Sequence, residues 1–67
     1  MNMTERDSEV LVAFAENNMN IAHTSRALYM HRNTVKYHLA KIKKNTGLNP
    51  YVFFELVCLL KNQNMLN

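Results

Sequence analysis

The stretch Leu28-Tyr29-Met30-His31-Arg32-Asn33-Thr34-Val35-Lys36-Tyr37-His38-Leu39-Ala40-Lys41-Ile42-Lys43-Lys44-Asn45-Thr46-Gly47 decides how the rest of this chain is read. Val35, Leu39, Ile42 and Thr46 recur at i, i+4, i+7 and i+11, the spacing of one face of an α-helix. At ~100° per residue the opposite face carries Asn33, Lys36, Tyr37, Ala40 and Lys44, with Lys41 on its flank. One side is aliphatic; the other is basic, amide and aromatic. Gly47, the only glycine in the chain, falls where helices often end in a left-handed residue. A helix is therefore expected over about 32–45. His31 stands at its N-cap, where Ser, Thr or Asn is usual, and a ring nitrogen is able to accept a first-turn N–H in their place.

Upstream, Asn20 is a good cap, and Ile21, Ser25 and Leu28 share a face, with Ala22 and Ala27 small enough for close approach. They predict a two-turn helix over about 21–28. A helix of two turns, the linker Tyr29-Met30-His31, and a longer basic helix make a helix-turn-helix. Glycine often stands where Tyr29 does, because that residue takes a positive φ; either Tyr29 carries local strain or the turn is built differently. Met30 is expected to fill the gap between the two helices. At the N-terminus, Thr4 caps a helix over about 5–17, with Glu5, Asp7 and Glu9 suited to its positive end and Val10, Leu11, Phe14 and Ala15 on its buried stripe.

Past Gly47, Asn49-Pro50 reads as a cap followed by a proline at the first helical position, so a fourth helix is expected over about 50–61. That helix is apolar nearly all round. Either it is central or part of it meets a partner. The fold class is thus all-α: one small four-helix helix-turn-helix domain over residues 1–67, with 1–3 and 62–67 expected to be frayed.

Charge separates along the chain. Residues 1–20 carry Glu5, Asp7, Glu9 and Glu16 against Arg6, a net −3, whereas residues 21–67 carry seven basic residues against Glu55, a net +6. Between Arg26 and Lys44 there are six basic residues and no acid, the footprint of a phosphate-backbone contact. A solvated basic face is the plainer account of the same pattern. The single cysteine, Cys58, excludes an internal disulfide and fits a reducing compartment; within its apolar helix the thiol is expected to be inert packing. No secretory or membrane-spanning stretch is present, so a cytoplasmic setting is expected.

In a helix-turn-helix the N-terminal end of the second helix meets the base edges in the major groove of double-stranded DNA. Arg32 suits guanine, Asn33 suits adenine, and Lys36 and Tyr37 follow one turn on; these four are the expected base readers. Thr34, Lys41, Lys44, His31 and Arg26 are the expected phosphate contacts. His23, His31 and His38 lack the spacing and partners of a metal site, and the acids lie at the wrong end of the chain for a dyad with them. No cofactor, metal, catalytic residue or small-molecule ligand is expected on this domain. Two other readings exist: a protein-interaction or dimerisation domain that uses the apolar fourth helix, and a membrane-surface helix over Arg32–Lys44. The second conflicts with the need for Val35, Leu39 and Ile42 in the core.

The string His31-Arg32-Asn33-Thr34-Val35-x-Tyr37-x-Leu39-x-x-Ile42, with Thr46-Gly47-Leu48 at a fixed distance, closely resembles the C-terminal helix-turn-helix domain of PucR/CdaR-type transcription regulators. More distantly, Arg32-x-Thr34-Val35 looks like the recognition helix of Fis-type nucleoid proteins. The resemblance covers about residues 8–62. It implies a bacterial DNA-binding domain that normally ends a larger regulator, with Arg32, Asn33, Thr34, Lys36 and Tyr37 on the recognition-helix positions. Either the domain is excised from such a regulator or it stands alone. This chain departs from the pattern at His23, where a glutamate often completes the cap of the second helix, and at His38, where an arginine is common.

Overall fold

A computed structural model of the chain describes residues 3–62. Four helices follow one another: α1 (Glu5–Glu16), α2 (Ile21–Ala27), α3 (Arg32–Thr46) and α4 (Phe53–Asn62). Helix α3 packs on both α1 and α2, while α4 rests on α1. The core forms where these contacts meet. Val10, Leu11 and Phe14 from α1, Val35, Leu39 and Ile42 from α3, and Leu56 and Leu59 from α4 make one buried cluster. Full burial of each such side chain contributes about 1.5–3 kcal/mol, so three aliphatic residues hold α3 to the scaffold.

Each helix is closed by the local chemistry of its ends. Thr4 and Asp7 form a capping box on α1: the Asp7 N–H donates to Thr4 Oγ1 (3.1 Å) and the Thr4 N–H donates to Asp7 Oδ2 (3.0 Å). Helix α1 ends in a Schellman motif, in which the Met19 N–H reaches Phe14 O (2.8 Å) and the Asn18 N–H reaches Ala15 O (3.3 Å). Asn18 and Met19 both take positive φ there. Asn20 caps α2 by accepting from the His23 N–H. Val10, Leu11 and Phe14 are buried on α1 as expected; Ala13 is buried as well, and Ala15 only partly so. On α2, Thr24 and Ser25 are buried, their hydroxyls donating to Asn20 O and Ala22 O. Ala27 is exposed.

The turn between α2 and α3 is a second Schellman motif. The Met30 N–H donates to Ser25 O (3.0 Å) and the Tyr29 N–H to Arg26 O (3.3 Å). Tyr29 takes φ 53°, so the position does require the left-handed conformation, and tyrosine adopts it. Met30 is partly buried against the core, as a plug between the helices. Gly47, at φ 78°, closes α3.

Helix α4 begins three residues later than Asn49-Pro50 suggested. The Asn49 carbonyl accepts from the Val52 N–H, Asn49 Oδ1 accepts from the Tyr51 N–H, and Glu55 Oε1 accepts from the Asn49 N–H. These bonds make a turn, and the first helical bond runs from the Leu56 N–H to Val52 O. The helix is peripheral: only Leu56 and Leu59 are buried on it, and Phe53 and Phe54 are 66% and 80% exposed. Cys58 is exposed too, which corrects its reading as packing.

Candidate nucleic-acid interface

Helix α3 presents the divided surface that its periodicity demands. Val35, Leu39 and Ile42 are inaccessible to solvent, while Arg32, Asn33, Thr34, Lys36, Tyr37, Ala40, Lys43 and Lys44 are all exposed. At 1.5 Å per residue its 15 residues make a rod of roughly 22 Å, with the polar side facing outward throughout. His31 caps it: the backbone is extended and Nδ1 accepts the Asn33 N–H at 3.0 Å. That bond fixes Nδ1 as an acceptor and anchors the turn that carries Arg32 and Asn33.

Two shallow grooves mark this side of the molecule. One is lined by Ser25, Met30, His31, Arg32, Asn33 and Lys36. The other lies further along α3, between Tyr37, Ala40, Lys41, Lys44 and Asn45. The first brings three of the four expected base readers to one place, at the helix N-terminus. Tyr37 lies beside the second. Arg26, in the last turn of α2, is exposed near the mouth of the turn.

Charge on this side is largely uncompensated. Among the described residues, Arg26, Arg32, Lys36, Lys43 and Lys44 have no carboxylate within ion-pair distance. Lys41 is different. Its ammonium lies 3.3 Å from Asp7 Oδ2, and its side chain is only 30% exposed.

Asp7 is the centre of a buried polar cluster that sequence reasoning missed. It has no solvent-accessible surface. Its Oδ1 lies 2.7 Å from His38 Nδ1, and its Oδ2 meets both the Thr4 N–H and Lys41 Nζ. Burial alone raises the Asp7 carboxyl, but hydrogen bonds from His38, the Thr4 backbone, Lys41 and the Thr4 side chain outweigh it and hold the group below its ordinary value. The ionised carboxylate is acceptor-only, so His38 Nδ1 carries the proton between them. An acid and a histidine do pair here, contrary to the expectation drawn from their distance in the chain. His38 is thus turned into the scaffold, where it clamps α1 to α3.

Residues 8–60 match the family of PucR C-terminal helix-turn-helix domains. The chain belongs to this family. The family is one of helix-turn-helix domains of transcription regulators, and α2, the turn and α3 of this chain all lie within the matched residues. No curated protein and no solved structure matches the chain. Relative to the family pattern noted above, the departure at His38 now has a structural partner in Asp7. At His23 the backbone N–H still receives its cap from Asn20. The signal for the Asp7 cluster was faint: a capping-box acid in α1 and a His38–Lys41 pair at i, i+3 on α3. Among the described residues no helix is long and apolar enough to cross a membrane.

Proposed function

We propose that this domain binds double-stranded DNA sequence-specifically as part of a bacterial transcription regulator, with α3 as the recognition helix in the major groove. The observation that supports this best is the row of exposed, unpaired cations on one side of a helix whose other side is fully buried. Arg32, Asn33, Lys36 and Tyr37 read base edges; Arg32 is suited to guanine O6 and N7, and Asn33 to adenine N6 and N7. Arg26, His31, Thr34 and Lys44 hold the phosphates. Lys41 shares its charge with Asp7 and contributes through its remaining N–H donors. We read the chain as the DNA-binding end of a larger regulator.

Titration of DNA affinity against salt tests the reading. Neutralising several phosphates makes binding fall of order a hundredfold or more between about 50 and 200 mM salt. Absence of binding to any duplex at the lower salt concentration would sink it.

A second reading draws on a specific observation. Phe53 and Phe54 are exposed at the start of α4, one turn from the exposed Cys58. We infer that this edge is a protein contact that joins two copies on operators whose half-sites lie about 34 Å apart. Phe54→Asp is expected to abolish self-association in sedimentation without lowering the melting temperature, because Phe54 supports little of the core. A wild-type chain that stays monomeric at high concentration, with or without operator DNA, removes this reading.

A further inference from the structure

Tyr29 is held at φ 53° and is 96% exposed. Both features are unfavourable for a tyrosine. A bulky side chain in the left-handed region is strained, and glycine would hold the same backbone without strain. An aromatic ring left in water gains nothing from burial. The turn itself is secured by main-chain atoms, through the Tyr29 and Met30 N–H bonds to Arg26 O and Ser25 O. Among the described residues the phenol has no hydrogen-bond partner. Strain that the interior does not compensate points to a contact outside the molecule.

The surroundings identify that contact. Tyr29 lines a shallow groove with Ser25, Arg26 and Met30, and the neighbouring groove starts from the same Ser25 and Met30 and runs to Arg32 and Lys36. Tyr29 therefore stands on the rim of the basic surface and shares its groove with Arg26, which has no carboxylate partner among the described residues. From Arg26 to Lys44 the chain contains no acid. Among uncompensated cations, the group that a phenol O–H meets from outside is an anion. Resting on the DNA-binding reading, we propose that the Tyr29 hydroxyl donates a hydrogen bond to a backbone phosphate at the edge of the site, next to Arg26. It is a neutral positioning contact, so it displaces no counterion and reads no base.

The test measures binding of the full chain to a random-sequence duplex by fluorescence anisotropy across a salt series, for wild type, Tyr29→Phe, Tyr29→Gly and Arg26→Ala. Tyr29→Phe and Tyr29→Gly are expected to weaken binding about ten- to a hundredfold, the worth of one hydrogen bond to a charged acceptor. Their slopes of log affinity against log salt match wild type, whereas Arg26→Ala lowers the slope by about one. Tyr29→Gly also melts at or above the wild-type temperature, because the left-handed position no longer carries a side chain. Weaker binding by a more stable protein cannot come from damage to the fold. Wild-type affinity in Tyr29→Phe overturns the proposal while the DNA-binding reading stands. A wild-type chain that does not bind the duplex at low salt overturns both, and the two failures are told apart by that one curve.

Discussion

Removing the Asp7 carboxylate tests whether the buried cluster clamps α1 to α3. In Asp7→Ala three partners lose their acceptor together: the Thr4 N–H at 3.0 Å, His38 Nδ1 at 2.7 Å and Lys41 Nζ at 3.3 Å. Loss of a capping interaction costs about 1 kcal/mol. Removing one member of a buried ion pair costs about 3–5 kcal/mol when the other charge is stranded. Lys41 is 30% exposed and is free to turn to water, so the group left without a partner is chiefly His38, 12% exposed, whose Nδ1–H donor costs about 1–3 kcal/mol when buried and unsatisfied. The lost cap and the unsatisfied donor together give about 3 kcal/mol, at or below the range for a stranded charge. A domain of this length has roughly 3–10 kcal/mol in total, so the change removes a third of it or more. At 4–8 °C per kcal/mol, the melting temperature falls by about 12–24 °C. Asp7→Asn keeps the shape and one acceptor for the Thr4 N–H, and is expected to fall between the two.

Acid adds a second readout from the same group. The Asp7 carboxyl titrates lower in the folded chain than in the unfolded one, so its contribution is complete above the unfolded value and disappears as pH falls through the folded one. Wild-type stability should decline as pH drops below about 4, and this part of the decline should be missing in Asp7→Asn. Urea titrations followed by circular dichroism, from neutral pH down to about pH 2, give both quantities. An Asp7→Ala chain within about 1 kcal/mol of wild type at neutral pH would refute the clamp. So would identical acid slopes in wild type and Asp7→Asn.

Further changes separate reading, anchoring and backbone geometry. Arg32→Ala is expected to cost about 1–3 kcal/mol on a cognate site and to relax specificity at one base pair, while Lys44→Ala weakens every sequence alike; equal losses on specific and non-specific duplexes would remove Arg32 from the base readers. Gly47→Ala meets no atom within 4 Å, so its cost is that of a side chain at φ 78°, about 1 kcal/mol, read as a modest drop in melting temperature. His31→Ala loses the cap on Asn33 and costs about 1 kcal/mol, whereas His31→Asn restores it; equal melting temperatures for the two would show that Nδ1 is not the capping group.

Where the signals were local, the sequence could be read closely. Val35, Leu39 and Ile42 sit at helical spacing between a plausible cap and the only glycine, and all three are fully buried. Tyr29 stood out as a candidate left-handed position because glycine often occupies that place in a helix-turn-helix turn, and its φ of 53° decides between strain and a different turn. The start of α4 was not legible, because Asn followed by Pro serves equally as a helix cap and as the opening of a turn. Glu55, six residues on, decides between them by accepting the Asn49 N–H. The Asp7–His38 pair spans 31 residues, and an acid in the first turn of a helix looks the same whether it serves the helix end or a distant imidazole. Phe53, Phe54 and Cys58 were ambiguous for another reason. A domain this small covers one side of its last helix, and which side depends on where α1 lies.

The hidden acid also bears on why the basic surface is available at all. Six cations between Arg26 and Lys44 with no acid among them repel one another, and a compact chain tends to neutralise such a field with whatever carboxylates it has. Here Asp7 is spent inside, on the inner flank of α3, where it meets His38 and Lys41. Glu9 pairs with Arg6 on α1 itself. The remaining cations of α3 and Arg26 keep their charge facing outward, on a helix fixed by burial and by one ion-paired clamp. Salt screens exposed charges strongly and buried pairs weakly. The same ions that would detach a phosphate backbone therefore leave the mounting of the helix largely intact. Burial on one side of α3 and exposed cations on the other, with Asp7 turned inward and Glu9 held by Arg6, are what the proposed contact with a polyanion would use.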